Sequence, residues 1–422
     1  MWCADAFAIV LSQRWGRADN KRWLGSTLEL HLVSLEFCRV CRSVPTLHVR
    51  VGDLTTCSVW STRKSQAKRK ASALENRISS RVPVVHALRL TWLLPIEVLL
   101  QDAAVDLWKW SEFLQLGDRV SVAHFQSLAW PRGLKRLVLD SGLETSEERM
   151  VWPAGLNELS FGDAFNLPIE GILWPACLRE LSFGMIFNQP IDGVRWPASL
   201  QQLAFGDYFN QPICAAVWPA SLQTLTFAWN FNQPIDGVTW PASLQKLTFS
   251  WCFDQQILGD AAVWPASLQR LVLGALFNQP IIGVIWPASL QRLSFGDRFN
   301  QPIAGVVWPA GLQQLDLGSA FNQSIAGVIW PPSLQELSFG EYSMFDHPVA
   351  GVAWPSSLQQ LSFGYLFNQP ITGATWPASL RKLSFGGCFD QPIVGVVWPP
   401  LLKQLSFGEY MYSSFNQPIV GV

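Results

Sequence analysis

A single 22-residue unit repeats along this 422-residue chain. Trp-Pro pairs recur thirteen times, and their spacing is 22 residues except at two places where it is 24. The tryptophans of these pairs are Trp130, Trp152, Trp174, Trp196, Trp218, Trp240, Trp264, Trp286, Trp308, Trp330, Trp354, Trp376 and Trp398. One unit, WPASLQQLAFGDYFNQPICAAV, is too short to bury a core of its own. The repeat therefore predicts a solenoid in which each unit forms one coil and stacks on its neighbours.

The pattern inside the unit predicts strands. Leu200, Leu203 and Phe205 follow an LxxLxL spacing, and residues two apart share one face of a strand. We expect Leu203 and Phe205 to point into the coil, where Phe209 and the following isoleucine join them. The proline before that isoleucine forbids a regular helix. We therefore predict a mainly β solenoid with one parallel sheet of about 13 coils of 22 residues.

Composition excludes several classes of protein. The formal net charge is -1, charged residues make up 14% of the chain and hydrophobic residues 49%. This balance argues against a strongly basic nucleic-acid-binding protein, and the apolar content argues against global disorder. The eight cysteines lack a regular spacing, which favours reduced thiols. The N-terminus is a poor signal peptide and Val82–Gln101 is too polar to span a bilayer, so we expect an intracellular protein, cytoplasmic or nuclear, without nucleic-acid or membrane partners.

The phrase SLQxLxFGxxFNQPI, at Ser199–Ile213 and Ser289–Ile303, resembles the FNIP repeat of the leucine-rich-repeat group. The resemblance covers about residues 130 to 422. It implies a leucine-rich-repeat-like solenoid that binds proteins, sometimes placed behind an N-terminal F-box. We therefore expect a protein partner of unknown identity. If an F-box is present, the chain also binds a core component of a ubiquitin ligase as a substrate adaptor.

The N-terminal third lacks the repeat and is basic, whereas the rest of the chain is acidic. These differences predict an N-terminal region over residues 1–125 and a solenoid over 126–422. The composition of Val82–Leu116 predicts one or two helices. Within it, Leu94–Leu100 resembles the opening of an F-box, but an amphipathic helix that caps the first coil has the same composition.

Two further N-terminal motifs have alternative interpretations. The basic cluster at Arg63-Lys64 and Lys68–Lys70 is of nuclear-localisation type, but such runs are usually solvated loops. Cys38, Cys41, His48 and Cys57 are residue types that bind zinc, but the spacing of the second pair does not fit a standard finger. We expect no metal or cofactor.

An asparagine or aspartate recurs beside the second phenylalanine of each unit. Asn188, Asn210, Asn232 and Asp254 are examples. A row of polar ligands is one interpretation. The favoured one is that these side chains hydrogen-bond the backbone of neighbouring turns and hold the coils in register.

The residues between the FG and FN elements vary from unit to unit. All five tyrosines of the chain lie in these gaps, as do two tryptophans outside the Trp-Pro row. Tyrosine, tryptophan and arginine anchor protein interfaces, although an exposed turn also tolerates many residue types. We expect the partner-binding residues to be Tyr208, Trp229, Trp251, Arg298, Tyr342, Tyr365 and Tyr410.

Catalytic chemistry has little support in the sequence. The repeats contain one histidine, His347, and no glycine-rich phosphate loop. Catalytic and metal sites need several such groups that converge. We therefore expect a non-enzymatic scaffold with no catalytic residue, and any enzyme site would have to lie in residues 1–129.

The last unit ends at Val422, two residues before the next tryptophan is due. Its inward row, near Leu405 and Phe407, then has no following coil, and open strand edges recruit other chains. We expect the last coil either to fray or to associate end to end. In the alternative, the six-residue insertion Glu409–Ser414 folds back as a cap.

Overall fold

A computed structural model of the chain describes residues 47–51, 88–92, 113–116, 120–121, 130, 133–139, 143–144, 152–258, 264–408 and 413–418. Contacts group the chain into two units, Met1–Asp118 and Arg119–Val422. The boundary near residue 125 stays a prediction. The F-box-like segment, the basic cluster and the three cysteines of the suggested zinc set lie outside the described residues.

The first unit contains three short parallel strands, β1 (Leu47–Val51), β2 (Leu88–Trp92) and β3 (Phe113–Leu116). β1 pairs with β2, and β2 pairs with β3. The helix prediction for Val82–Leu116 is therefore wrong at β2 and β3. Their sequences, LRLTW and FLQL, contain the period-2 alternation of a strand, which overrides the helix-like composition of the longer segment.

The second unit is a solenoid with one parallel sheet of thirteen strands. These are β5 (Arg136–Leu139), β7 (Glu158–Phe161), β8 (Glu180–Ser182), β9 (Gln202–Ala204), β10 (Thr224–Phe227), β11 (Lys246–Phe249), β12 (Arg270–Val272), β13 (Arg292–Ser294), β14 (Gln314–Asp316), β15 (Glu336–Ser338), β16 (Gln360–Ser362), β17 (Lys382–Phe385) and β18 (Gln404–Phe407). A separate pair, β4 (Val120–Ser121) and β6 (Leu143–Glu144), is also parallel. The predicted parallel solenoid is confirmed.

The register of the sheet follows the repeat. Each strand leucine pairs with the leucine of the next coil, as Leu203 does with Leu225 and Leu225 with Leu247. The leucines are buried and their strand neighbours face outward, so identical positions form straight rows along the solenoid. A row of this kind places side chains about 4.8 Å apart on neighbouring strands.

Three turns give each coil three sides. In the coil that begins at Trp196, Leu200 N–H donates to Pro197 O (3.0 Å), Phe209 N–H to Gly206 O (3.1 Å) and Ala216 N–H to Ile213 O (3.1 Å). We call the second of these, from the glycine of the FG element to the next phenylalanine, the FG turn. The strand forms one side, the stretch with the recurring asparagine forms the Asn side, and the stretch that leads to Trp-Pro forms the Trp side.

Seven inward side chains per coil form the core. In one coil they are Trp196, Leu200, Leu203, Phe205, Phe209, Ile213 and Ala216, each at most 9% exposed. The aromatic rings form columns along the axis: Phe205 lies 5.5 Å from Phe227 with an interplanar angle of 9°, and Trp174 lies 6.1 Å from Trp196. The tryptophan row is therefore part of the core.

Adjacent coils lie in close contact at the FG turns. A Cβ atom on Gly296 would overlap the carbonyl oxygen of Gly274 in the preceding coil. The glycine at the turn between the Asn and Trp sides has a different role: Gly305 has φ +89° and open space where a Cβ would lie. In these coils glycine therefore permits close contact in one row and a left-handed backbone in the other, whereas Ala228 and Ala215 occupy the two positions in other coils.

The last coil is more open than the inner ones. Leu405 and Phe407 are only half-buried, whereas the inner residues Leu293 and Phe295 are 2% and 3% exposed. Phe415 stacks on Phe407 with 4.2 Å between ring centroids. Most of the suggested cap, Glu409 to Tyr412, lies outside the described residues, so fraying, end-to-end association and capping all stay predictions.

Candidate functional site

The asparagine row is a structural ladder. Asn188 N–H donates to the Asn166 side-chain oxygen and Asn210 N–H to that of Asn188, each at 2.9 Å. The glutamine beside it, Gln211, also donates from Nε2 to Asn188 Oδ1. Asp254 takes the same place and accepts from Asn278 N–H at 2.8 Å. The asparagine oxygens are thus occupied within the fold, which confirms the structural interpretation.

The FG turns display the variable residues. Tyr208, Trp229, Trp251 and Tyr342 are exposed by 52%, 49%, 41% and 67%, respectively. These values are high for large apolar rings in a chain whose inward phenylalanines are nearly all buried. Arg298 is also exposed. Most of the predicted partner-binding side chains are therefore accessible at one corner of the solenoid.

Backbone hydrogen bonds align the FG turns into a column. Asn230 N–H donates to Asp207 O (2.7 Å), and Cys252 N–H donates to Trp229 O (2.8 Å), each acceptor lying in the coil before its donor. These bonds place equivalent turn residues one above another. Side chains at the first variable position of consecutive coils are therefore neighbours. The 22-residue spacing alone does not establish this, because it also requires that the coils stack in register.

Trp229 and Trp251 form an exposed stack on this column. Their ring centroids are 4.6 Å apart and the rings are inclined by 8°. Stacking covers one face of each indole, and the two side chains remain 49% and 41% exposed. Two coupled, partly rigid aromatic rings at a surface are the type of feature that anchors a protein partner.

The other predicted residues are not assembled with this pair. Tyr208 precedes it by one coil, whereas Arg298, Tyr342 and Tyr365 belong to later coils. Tyr365 is only half-buried, and Tyr410 lies outside the described residues. The described members of the predicted set therefore share one corner of the solenoid, where the stack is the densest aromatic part, and their role in partner binding stays a prediction.

The outward face of the sheet is a second polar surface, which the sequence analysis did not single out. Lys246 on β11, Arg270 on β12 and Arg292 on β13 are exposed and in register with one another. Within the described ranges no ion pair joins any of the three to an acidic side chain. Three cations at about 4.8 Å spacing favour anionic groups. Writing the units one beneath another makes this row visible in the sequence.

A groove of about 360 Å³ lies on the same sheet face across β12 to β17. Asp316 lies in it, and burial raises the pKa of its carboxyl above the ordinary value. The amide of Gly318 (3.2 Å) and the hydroxyl of Ser294 (3.4 Å) donate hydrogen bonds that oppose this effect. The groove is open and its residues lie on separate coils, so it resembles a contact surface more than an enclosed pocket.

Comparison with known families places the repeat. The FNIP Repeat family matches residues 187–228, 277–320, 299–342, 345–388 and 367–410. The chain carries FNIP repeats. Its FNIP coils are the leucine-rich-repeat type of solenoid, as the resemblance implied. No curated protein sequence is significantly similar to this chain.

Solved structures similar to the FNIP-repeat chain are leucine-rich-repeat proteins. CroV588, described as a novel circular LRR protein, is 34% identical over 72% of this chain and 53% of its own, with a TM-score of 0.46. TLR13 in complex with ssRNA13 is 17% identical over 76% and 50% of the two chains, with a TM-score of 0.50. An internalin from Listeria monocytogenes is 13% identical over 76% and 88%, with a TM-score of 0.42. The chain spans about half the length of the first two.

The FNIP coils bring no catalytic or metal-binding set together within the described ranges. No three metal-ligating side chains converge there. His347 has a structural contact, since its Nε2 lies 2.9 Å from Asn322 O in the asparagine ladder. The described cysteines, Cys177, Cys214, Cys252 and Cys388, are free thiols on four different coils. None of the described residues belongs to a helix long and apolar enough to cross a bilayer.

Proposed function

We propose that the chain is a non-enzymatic scaffold that binds protein partners through the FG-turn column of its FNIP repeats. The observation that carries this proposal is the Trp229–Trp251 stack, in which two large rings lie against each other and both remain more than 40% exposed. Burying an aromatic ring at an interface removes about 150–250 Å² of surface, and such rings are frequent hot spots.

The rest of the column supplies shape and specificity. Tyr208 adds a hydroxyl and a ring one coil below the stack, and Arg298 and Tyr342 extend the same corner further along the solenoid. Because each coil adds one variable turn, a partner that lies along the solenoid axis contacts several turns in succession. The rigid asparagine ladder beside the column limits the entropy lost on binding.

The test compares partners captured from cell extract by the wild-type chain and by the double variant Trp229→Ala/Trp251→Ala. The control is Met185→Ala, because Met185 occupies the same turn position and is 42% exposed. We expect the double variant to lose partners that the control retains, with circular dichroism unchanged. An identical set of partners for all three proteins, all folded, would refute the proposal.

The ubiquitin-ligase adaptor remains the alternative. It depends on Leu94–Leu100, which lie outside the described residues, and no observation in the solenoid favours it. Co-purification of a Skp-type partner, lost when residues 82–118 are deleted, would support it. An enzyme site in residues 1–129 is a further alternative, and no observation on the described residues favours it.

A further inference from the structure

The row of the FG-turn column that contains the tryptophan stack continues on both sides of it. In five consecutive coils the residues at the first variable position are Asp207, Trp229, Trp251, Ala275 and Asp297. Leu276 N–H donates to Trp251 O and Arg298 N–H donates to Ala275 O, each at 2.9 Å. These bonds continue the alignment of the turns beyond the stack. Ala275 and Asp297 therefore follow Trp251 in the same row.

A cleft lies in this row beside Trp251. The ring centroids of Trp229 and Trp251 are 4.6 Å apart, which is close to the coil spacing of about 4.8 Å, so the rings stack along the solenoid axis. The second face of the Trp251 indole is therefore directed toward the next coil. There the row has Ala275, whose side chain is a single methyl group, and Asp297 follows one coil later. We call Trp251, Ala275 and Asp297 the Trp–Asp cleft.

The carboxylate of Asp297 is accessible to a cation. Asp297 is exposed, and its one side-chain hydrogen bond within the described ranges is a long one, from Ser319 Oγ to Oδ1 at 3.5 Å. No cationic side chain of the described coils forms an ion pair with it. The neighbouring Arg298 is also exposed and lies at the second variable position of the same turn. It is therefore a competing positive charge beside the cleft.

The FG-turn column as a whole attracts positive charge. The described FG turns contain one cationic residue, Arg298, and four acidic ones, which are Asp163, Asp207, Asp297 and Glu341. A surface with an excess of one charge raises the local concentration of partners with the opposite charge. The charge of the column therefore favours a basic partner.

An arginine side chain matches both walls of the cleft. Its guanidinium is planar, stacks on aromatic faces and donates hydrogen bonds to a carboxylate in a fixed geometry. Two coil spacings of about 4.8 Å place Asp297 roughly 9.6 Å from Trp251 along the axis. A guanidinium in van der Waals contact with the indole, at about 3.5–4 Å, lies within the roughly 6 Å over which a cation is attracted to the ring. The remaining distance is within reach of the Asp297 side chain.

We propose that the Trp–Asp cleft binds an arginine side chain of a protein partner. The guanidinium stacks on the face of Trp251 directed toward Ala275 and donates hydrogen bonds to the Asp297 carboxylate. Trp229 supports the opposite face of the indole, and Asp207 adds negative charge at the other end of the stack. This inference rests on the proposed function of the FG-turn column and names the chemistry that the partner presents.

The test uses a fluorescein-labelled peptide in which four arginines are spaced by glycine and serine. Its affinity for the full chain is measured by fluorescence anisotropy in about 0.1 M salt, where charges more than about 10 Å apart are largely screened. We expect the arginine peptide to bind about threefold or more tightly than its lysine version, and the glutamine version not to bind. Trp251→Leu should weaken the arginine peptide by about threefold or more, because leucine keeps apolar bulk but removes the ring.

Two charge variants should act in opposite directions. Asp297→Asn should weaken the arginine peptide by about two- to fivefold, because it removes the ion pair. Arg298→Gln should strengthen it by about twofold, because it removes the competing cation. The matched control is Asp163→Asn, which removes one charge at the same repeat position six coils before Asp297 and should leave the affinity nearly unchanged. Circular dichroism checks that every variant is folded.

The outcomes separate this inference from the proposed function. Equal affinities for the arginine peptide and either of its other versions would overturn the inference. So would equal weakening by Asp297→Asn and Asp163→Asn, which would indicate diffuse attraction to an acidic solenoid. If Trp229→Ala/Trp251→Ala loses partners from extract while Asp297→Asn retains them and binds the arginine peptide like wild type, the column binds proteins but the cleft does not bind arginine.

Discussion

Replacing Asn300 by alanine isolates the contribution of one step of the asparagine ladder. Asn300 Oδ1 accepts hydrogen bonds from Asn322 N–H (2.9 Å) and from Gln323 Nε2 (3.0 Å) in the next coil. A hydrogen bond contributes about 0.5–1.5 kcal/mol net, so losing both should lower the free energy of unfolding by about 1–3 kcal/mol. Asn300→Asp keeps the acceptor, as Asp254 does toward Asn278, and should cost much less.

The assay combines urea unfolding with amide hydrogen exchange. In Asn300→Ala the amide of Asn322 loses its acceptor, and its exchange should accelerate by about tenfold if the step contributes about 1.4 kcal/mol. In Asn300→Asp that amide should stay protected. Equal destabilisation of the two variants, or unchanged exchange at Asn322 in the alanine variant, would refute the view that the side-chain oxygen holds adjacent coils in register.

Three further predictions concern glycine, charge and the last coil. Gly305→Ala should lower the free energy of unfolding by about 1–2 kcal/mol, because alanine disfavours the left-handed backbone at this position. Gly296→Ala should lower it more, because its Cβ would overlap the preceding coil. Equal shifts of the two variants in thermal unfolding would contradict this. The folded-state pKa of Asp316 is raised, so its contribution to stability is lost as pH rises through that value. Asp316→Ser should therefore gain stability relative to wild type as pH rises above 3.8, the ordinary pKa of an aspartate, and a pH-independent difference in urea unfolding would argue against it. Hydrogen exchange should be faster in β18 than in β13, because the inward side chains of β18 are half-buried; equal protection would indicate a capped end.

The inward-facing residues were predictable because their chemistry repeats. Leu203 and Phe205 recur at a fixed spacing, and both are almost fully buried. The asparagine ladder was equally predictable from the sequence. Aspartate replaces asparagine at Asp254, and an oxygen that accepts from a backbone N–H is what explains this exchange. Each of these inferences requires only the sequence of one unit and the assumption that the units stack.

Features that depend on several coils at once were missed. The cation row of Lys246, Arg270 and Arg292 becomes visible only when units are compared position by position along the axis. The contact between Trp229 and Trp251 needs more, because the rotamers of two exposed rings decide whether they stack or diverge. The wrong helix prediction at β2 has a different cause. Its five residues alternate between apolar and polar and form a strand, although the composition of the longer segment predicts a helix.

The columns of phenyl rings have a consequence for the history of such a chain. Phe183, Phe205 and Phe227 meet one another through the same geometry, at 5.7 and 5.5 Å, so no coil is fitted to one particular neighbour. A whole unit can therefore be duplicated, deleted or moved, and the packing of the core between neighbouring coils stays the same. Recombination between units would change the length of the protein and the order of its exposed corners while leaving every internal contact of the same kind as before.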